Sequence, residues 1–383
     1  MIEISNPSDC CGCTACASIC SHNAIMMEPD VLGFLYPKVD ETKCVECGLC
    51  EKVCQFKDNY DCSLNLNKPI AYAVRHKDLD EVMKSRSGAA FVAISNFVLE
   101  KGGVVYGAGY KEHFRVVHKR ATTKEERDEF RGSKYVQSDL TGIFRQVKTD
   151  LKNGLTVLFS GTPCQTAGLN SYIGKKTREN LILVDIVCHG VPGPYLWRDY
   201  IAYLEKKQSD KIVVVNFRDK ELFGWKAHKE SYVFKNGEKK TFKYIFYKHI
   251  MFRHSCEKCY YTNLQRPSDI TLADFWGWEN NVPGMNDDDK GINLLLVNTE
   301  KGKVIFNATR NSLIVREVVV EKSLQPNLRY PSFAHPERNA FETDYQKCGF
   351  EYVMKHYGNV GWRYQITRFK WVLNIIWKKL RIL

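Results

Sequence analysis

From about residue 69 onward, short apolar runs alternate with segments whose apolar residues return every three or four positions. Ile70 to Arg75 reads as a strand. Gly88 to Glu100 reads as a helix, because Phe91, Ile94, Phe97 and Val98 share one face. Val104 to Tyr110 and Arg115 to Lys119 read as strands, and Lys124 to Phe130 as a short helix. Two strand-turn-helix units follow, Leu155 to Phe159 into Gln165 to Ile173, and Leu181 to Val187 into Tyr195 to Lys206. Repeats of that unit predict a parallel or mixed sheet with helices on its faces. Ile212 to Ile250 is rich in β-branched and aromatic residues around Asn236-Gly237, a hairpin signal. At the far end Trp362, Ile366, Phe369, Leu373, Ile376 and Leu380 step by three or four, and Trp371, Ile375 and Trp377 widen that helical face.

The first 56 residues follow a different rule, set by cysteine. Cys10, Cys13, Cys16 and Cys20 repeat the spacing of Cys44, Cys47, Cys50 and Cys54, each a C-x2-C-x2-C-x3-C run. That is the bacterial ferredoxin spacing, in which the fourth cysteine of each run ligates the other cluster. The expected sets are Cys10, Cys13, Cys16 and Cys54 on one 4Fe-4S cluster and Cys44, Cys47, Cys50 and Cys20 on a second. Structural zinc is the alternative, but it needs four thiolates per ion and makes no use of a triplet with a distant fourth. Ser21 and Gln55 stand where a proline usually follows the fourth cysteine. Cys11 reads as a spare thiol.

The fold class that results is α+β. A two-cluster 4Fe-4S ferredoxin domain spans 1–56, a linker 57–68, and a larger α/β domain with a parallel or mixed sheet 69–335. A C-terminal helical segment spans 336–383 and ends in a basic amphipathic helix over Trp362 to Leu383. At 383 residues the chain is too long for a ferredoxin alone. No secretory apolar region occurs in Met1 to Pro7, and cluster spacing accounts for eight of the fifteen cysteines, so a cytoplasmic location is expected. No run of eighteen apolar residues appears.

The net charge of +12 suggests nucleic acid until it is located: Arg363, Arg368, Lys370, Lys378, Lys379 and Arg381, with no acid among them, supply half. A basic, tryptophan-rich helix suits peripheral contact with an anionic membrane surface, or equally packing on the body or a partner subunit. Nucleic acid is not expected as a partner.

Ligands of open parallel sheets sit past the carboxyl ends of the strands. Phe159 to Gln165 and Val184 to Gly190 end two neighbouring strands there, each with a cysteine at its tip. Cys164 and Cys188, joined by the C-x2-C of Cys256 and Cys259, make four thiols suited to a third 4Fe-4S cluster; buried structural cysteines are the alternative. Cys62 and Cys348 read as isolated and structural. Ser85-Arg86-Ser87-Gly88, before a helix, offers hydroxyls, amides and a cation to a pyrophosphate, although Ser87 also reads as an ordinary N-cap. Arg131-Gly132-Ser133-Lys134-Tyr135 is a second such candidate. Single-electron clusters working on an organic molecule need a two-electron converter, and flavin is the usual one. Asp287-Asp288-Asp289 reads as an acidic turn in solvent.

Taken in order, these segments resemble the beta-subunit family of coenzyme F420 hydrogenases and dehydrogenases, over Ser5 to about Gly358. The resemblance rests on the double cysteine run, Gly132 to Tyr135, Ser160 to Gln165, Cys188-His189-Gly190-Val191-Pro192, Phe217 to Lys220 with Gly224-Trp225, and Arg266 to Gly277. It implies an iron-sulfur flavoprotein oxidoreductase passing electrons between a ferredoxin-like or deazaflavin donor and an organic substrate of unknown identity. FAD would be bound by Ser85, Arg86, Ser87, Gly88, Gly132, Ser133, Lys134 and Tyr135, with Gly161 and Thr162; coenzyme F420 is a further cofactor the resemblance allows. Lys134, His189 and Arg218 are the candidates for proton supply or for holding an anionic substrate, each with a salt-bridged or capping role as the alternative. The separate ferredoxin segment and basic tail resemble members standing among bacterial surface-polysaccharide genes. A non-catalytic electron-relay subunit and a membrane-associated, cluster-stabilised scaffold are the competing readings.

Overall fold

The computed structural model describes residues 1–383 except 58, 175–176, 243–247, 359, 361–365 and 367–383. The expected basic amphipathic helix at Trp362 to Leu383 lies, Ile366 apart, outside the described residues. No helix among the described residues is long and apolar enough to cross a membrane.

The N-terminal module is small. Two short helices, Ala15–Ile19 and Leu49–Lys52, each contain the third cysteine of a run, and β1 (Ile25–Pro29) pairs antiparallel with β2 (Leu35–Val39). The chain then enters β3 (Asn65–His76), so the last residues of the expected linker, Asn65 to Lys68, already belong to the main sheet, where Asn65 pairs with Thr299.

That sheet has eight strands. The others are β4 (Val104–Lys111), β5 (Arg115–Ala121), β6 (Val157–Gly161), β7 (Leu181–Ile186), β11 (Ile270–Asp274), β12 (Asn293–Thr299) and β13 (Leu313–Val318). Its order is β13-β3-β12-β11-β7-β6-β4-β5. The central four, β11, β7, β6 and β4, are mutually parallel, and antiparallel strands flank them. β7 shows why its sequence is a nearly continuous apolar run. Leu181 and Leu183 pack on one face with the helices Ile143–Lys152 and Pro163–Ile173, while Ile182 and Val184 pack on the other with Ala90–Glu100 and Glu300–Thr309. A strand covered on both faces has no polar side to alternate with.

A minor sheet, β8 (Ile212–Asn216), β9 (Ser231–Phe234) and β10 (Lys239–Lys240), contains the expected hairpin, with Gly237 at φ +86° in its turn. The helices Pro194–Gln208 and Arg338–Tyr357 close a further core around Trp197, Tyr200 and Phe341.

The module is docked on this body. Arg145 donates to the carbonyls of Ala17, Ser18 and Cys20 and to Asn23 Oδ1 at 2.9–3.1 Å. Tyr261 donates to Gln55 O at 2.6 Å. A Cβ on Gly168 would stand 2.6 Å from Cys13 Sγ, so only glycine lets the helix Pro163–Ile173 approach the first cysteine run this closely.

Candidate functional site

The two cysteine runs have the same backbone. In the first, Gly12 and Thr14 have φ of +69° and +66°; in the second, Glu46 and Gly48 have +52° and +71°. These left-handed residues curl the chain so that successive thiols face inward. Cys10, Cys13, Cys16 and Cys54 lie within electrostatic reach of one another. Cys44 and Cys50 both lie near the Met1 ammonium. Amides point at sulfur: Gly12 N to Cys10 Sγ at 3.4 Å, Ile2 N to Cys50 Sγ at 3.3 Å and Ala24 N to Cys20 Sγ at 3.3 Å. Such N–H···S bonds tune a cluster's potential.

Four distant thiols also converge. Cys164 is the second residue of the helix Pro163–Ile173, Cys188 follows the end of β7, Cys256 lies within a tight turn at His254–Lys258, and Cys259 caps that turn. Each lies in the electrostatic field of the others. Burial pushes the Cys188 thiol up, Cys256 to about 11 and Cys259 to about 12. Cys164 instead falls to about 7, because the Cys11 thiol hydrogen-bonds it. Cys11 also hydrogen-bonds Cys13 and is buried, so this thiol touches both groups rather than standing spare. Cys62 is not isolated either: it packs in the apolar cluster of Cys11, Cys54, Cys164 and Cys259, whereas Cys348 is exposed. Among the described residues no three or more His, Cys, Asp or Glu side chains stand as a site for a single metal ion.

Beside these four thiols, at the carboxyl edge of β4, β6, β7 and β11, opens a cavity of about 620 Å³, within the usual range for a cofactor-sized ligand, about 300–1,000 Å³. Ser85, Arg86 and Ser87 line it, as do Gly132 to Tyr135, Gly161, Thr162, Cys188, His189 and Arg218. Segments more than a hundred residues apart are brought together because parallel strands end side by side. Gly88 is the predicted site residue that does not line it. A Cβ there would meet Val74 O at 2.4 Å and Asn293 N at 2.8 Å, so this glycine serves close packing against β3 and β12. The helix behind it starts at Ala90, whose amide is taken by Asn293 Oδ1 at 3.2 Å.

The walls suit a flavin dinucleotide. Arg86, Arg131, Lys134 and Arg218 make them cationic. Ser85 Oγ and the Nε and Nη1 of Arg131 are buried with no hydrogen-bond partner, which suits an anionic phosphate that would supply acceptors. The cationic, small-residue rim and the orphaned donors fit the group.

The three proton or anion candidates are differently placed. Lys134 Nζ donates to Glu129 O at 2.7 Å and Arg131 O at 3.3 Å, bracing its own loop, and burial brings its ammonium down to about 8. His189 Nε2 stands 3.0 Å from His249 Nε2. Arg218 bonds Asp274 Oδ2 at 2.6 Å and lies 5.1 Å from the centre of the Trp276 ring.

Sequence reasoning missed several supports. Asp274 is held by Arg218 and approached by Arg86 at 3.9 Å. Lys220 donates to Val82 O, to Ser87 O at 3.3 Å and to Lys290 O at 2.6 Å, stapling the Ser85 turn from behind, and burial lowers it to about 7. The Asp287 to Asp289 segment is no plain solvent turn: Asp288 forks with Arg75 at 2.6 and 2.7 Å. Asp274 and Lys220 both lie in segments that carry the family resemblance, Arg266 to Gly277 and Phe217 to Lys220, but their contacts were not legible there; nothing local signals Arg75.

Residues 9–57 match the 4Fe-4S dicluster domain. Residues 154–322 match the family described as the C terminus of the coenzyme F420 hydrogenase/dehydrogenase beta subunit. No curated protein matches the chain. Among solved structures, a chain from the F420-reducing NiFe hydrogenase complex of Methanosarcina barkeri is 15% identical, over 75% of this chain and 90% of that one, with a TM-score of 0.46. The protein is therefore an iron-sulfur electron-transfer protein with a 4Fe-4S dicluster domain at its N-terminus, related through residues 154–322 to the coenzyme F420 hydrogenase/dehydrogenase beta subunit.

Proposed function

We propose that this chain is an iron-sulfur flavoprotein oxidoreductase that connects a one-electron donor of the ferredoxin or deazaflavin class to an organic substrate. The supporting observation is the unbroken line of thiols from the N-terminal runs through Cys11 to Cys164, and on to Cys188 at the cavity wall. In this reading Cys10, Cys13, Cys16 and Cys54 hold one 4Fe-4S cluster, Cys20, Cys44, Cys47 and Cys50 a second, and Cys164, Cys188, Cys256 and Cys259 a third.

The cavity would take FAD. When bound, clusters supply single electrons and the flavin supplies hydride chemistry. The chain's own contribution is positional. Arg86 and Arg131, with the Ser85 and Ser133 hydroxyls, would neutralise a pyrophosphate. Lys220 and Lys134 keep the two phosphate-facing loops in shape through backbone carbonyls. Arg218, fixed by Asp274 against Trp276, presents a cation and an aromatic face to an anionic, planar group. His189 and His249 form a polar pair beside the cavity wall, suited to holding a proton between two ring nitrogens.

The test is the cofactor inventory of anaerobically isolated protein. Iron and sulfide for three cubanes with stoichiometric flavin are expected, and Cys256→Ser should lower iron by about four per chain. Iron without flavin would replace this reading with that of an electron-relay subunit. Zinc in place of iron would sink both.

A further inference from the structure

Arg253 precedes the turn that carries Cys256 and Cys259, yet its side chain reaches into the N-terminal module. It is 2% exposed. Nε donates to Cys10 O at 2.8 Å, and Nη2 donates to Leu35 O at 2.9 Å and approaches Cys10 Sγ at 3.7 Å. Nη1 donates to Gln137 Oε1 at 2.9 Å, and Gln137 Nε2 donates in turn to Cys11 O at 2.9 Å. The guanidinium carbon lies 4.2 Å from the centre of the Tyr36 ring, and the Arg253 amide is anchored to Val191 O at 3.0 Å beside the cavity wall. One side chain thus ties the first cysteine run, β2 and the α/β body together.

The run is shaped around it. A Cβ on Gly12 would stand 2.8 Å from Arg253 Nη1 and 3.1 Å from Gln137 Nε2, so glycine is required there for space as well as for its positive φ. The partners described for the guanidinium are carbonyls, an amide oxygen, aromatic rings and a cysteine sulfur, with no carboxylate in an ion pair. A buried cation without a counter-anion is costly. The sulfur of Cys10, at 3.7 Å, is the contacting group that becomes anionic when it ligates iron; Asp30 and the thiols of Cys13, Cys164 and Cys256 also lie in the field of the guanidinium. The described hydrogen bonds to sulfurs of the other expected ligand set are different: Ile2 N on Cys50 and Ala24 N on Cys20 are neutral donors.

We propose that Arg253 is a positioning residue for electron transfer. Its fork clamps the inner cysteine run to the body, and its fixed charge raises the reduction potential of the cluster held by Cys10, Cys13, Cys16 and Cys54. The proposal rests on the iron-sulfur reading given above. Each electron accepted adds one negative charge to the cluster, and a desolvated cation at a ligand sulfur stabilises that form over the oxidised one. Lysine would retain the charge but not the planar fork that serves Cys10, Leu35 and Gln137 at once. The consequence is directional: electrons entering at the exposed outer run are drawn inward, toward the thiols beside the cavity.

The experiment is an EPR-monitored redox titration of the anaerobically isolated full chain, with iron analysis of each variant. Arg253→Gln should lower the midpoint of the cluster held by Cys10 by about 59 mV, a tenfold change in its reduced-to-oxidised ratio, and leave the outer cluster unmoved. Arg253→Lys should shift it less, while releasing the inner iron to a chelator as readily as Arg253→Gln does. Should Arg253→Gln not retain iron, Gln137→Glu sets a carboxylate against the guanidinium at nearly constant volume, and the same cluster should move in the same direction. An unchanged midpoint in Arg253→Gln at full iron content, or in Gln137→Glu, overturns the proposal. Failure of the underlying reading would show separately, as wild-type protein without iron.

Discussion

The two cysteine runs share spacing and backbone, and they differ in what surrounds them. At the position before the second cysteine, one run has Gly12, buried against Arg253, and the other has Glu46, exposed; both are left-handed. After the second cysteine, one has Thr14, buried, and the other Gly48, with nothing within 4 Å of a Cβ built on it. Cys16 and Cys11 are buried in the first run, while Cys47 is exposed in the second. Ligand geometry is therefore a local property that the chain repeats. Burial, charge and neighbours are set by docking, and in these the two runs differ.

Acid should break this contrast from the body's side, with the largest expected effect. His118 is buried at the cavity wall. Its Nε2 donates to Ser160 O at 3.0 Å and its Nδ1 accepts from Ser138 Oγ at 2.9 Å, beside the Gln137 that holds Cys11. Burial lowers its pKa from 6.5 to about 4. Because the unfolded chain binds the proton more readily, the folded state loses stability as pH falls from 6.5 to about 4. At full extent this is about 3 kcal/mol, and denaturant unfolding should show that slope reduced in His118→Gln. An unaltered slope would place the acid sensitivity elsewhere.

Gly12→Ala should cost about 1–3 kcal/mol, from a left-handed Cβ and from overpacking against Arg253, visible as a lower Tm. An unchanged Tm would mean that the guanidinium moves aside freely. Iron release to a chelator should be biphasic, the outer set leaving about tenfold faster, as a difference of 1.4 kcal/mol in local opening gives. A single phase would erase the distinction between the runs. The smallest effect is expected from Glu46→Gly, a gain of about 1 kcal/mol from relieving an exposed left-handed residue; a loss would reveal a role for the Glu46 side chain.

The strands around the parallel centre were legible because each is a short apolar run, and the helix now bounded by Ala90–Glu100 because its apolar residues share a face. Boundaries were less so: Asn65 to Lys68 look like linker but lie in β3, where Asn65 pairs with Thr299 beyond a register shift. Ser85 to Ser87 and Gly132 to Tyr135, which line the cavity, could be singled out because small and cationic residues cluster there locally. Lys220, whose work is done on carbonyls well over a hundred residues away for Val82 and Ser87, carried no such mark. Cys11 could not be read correctly either, because its partner Cys164 is remote in the chain.

By itself the sequence determined the spacing of the eight N-terminal cysteines, the alternation that builds the sheet, and the residue types at the strand tips, since all three follow from neighbours within a few positions. Tertiary structure alone decided that Cys164, Cys188, Cys256 and Cys259 meet, that Cys11 touches two thiol groups, and that Arg253 reaches Cys10. Those contacts depend on strand order and on how closely glycines let helices approach, and neither is written in any local window of the chain.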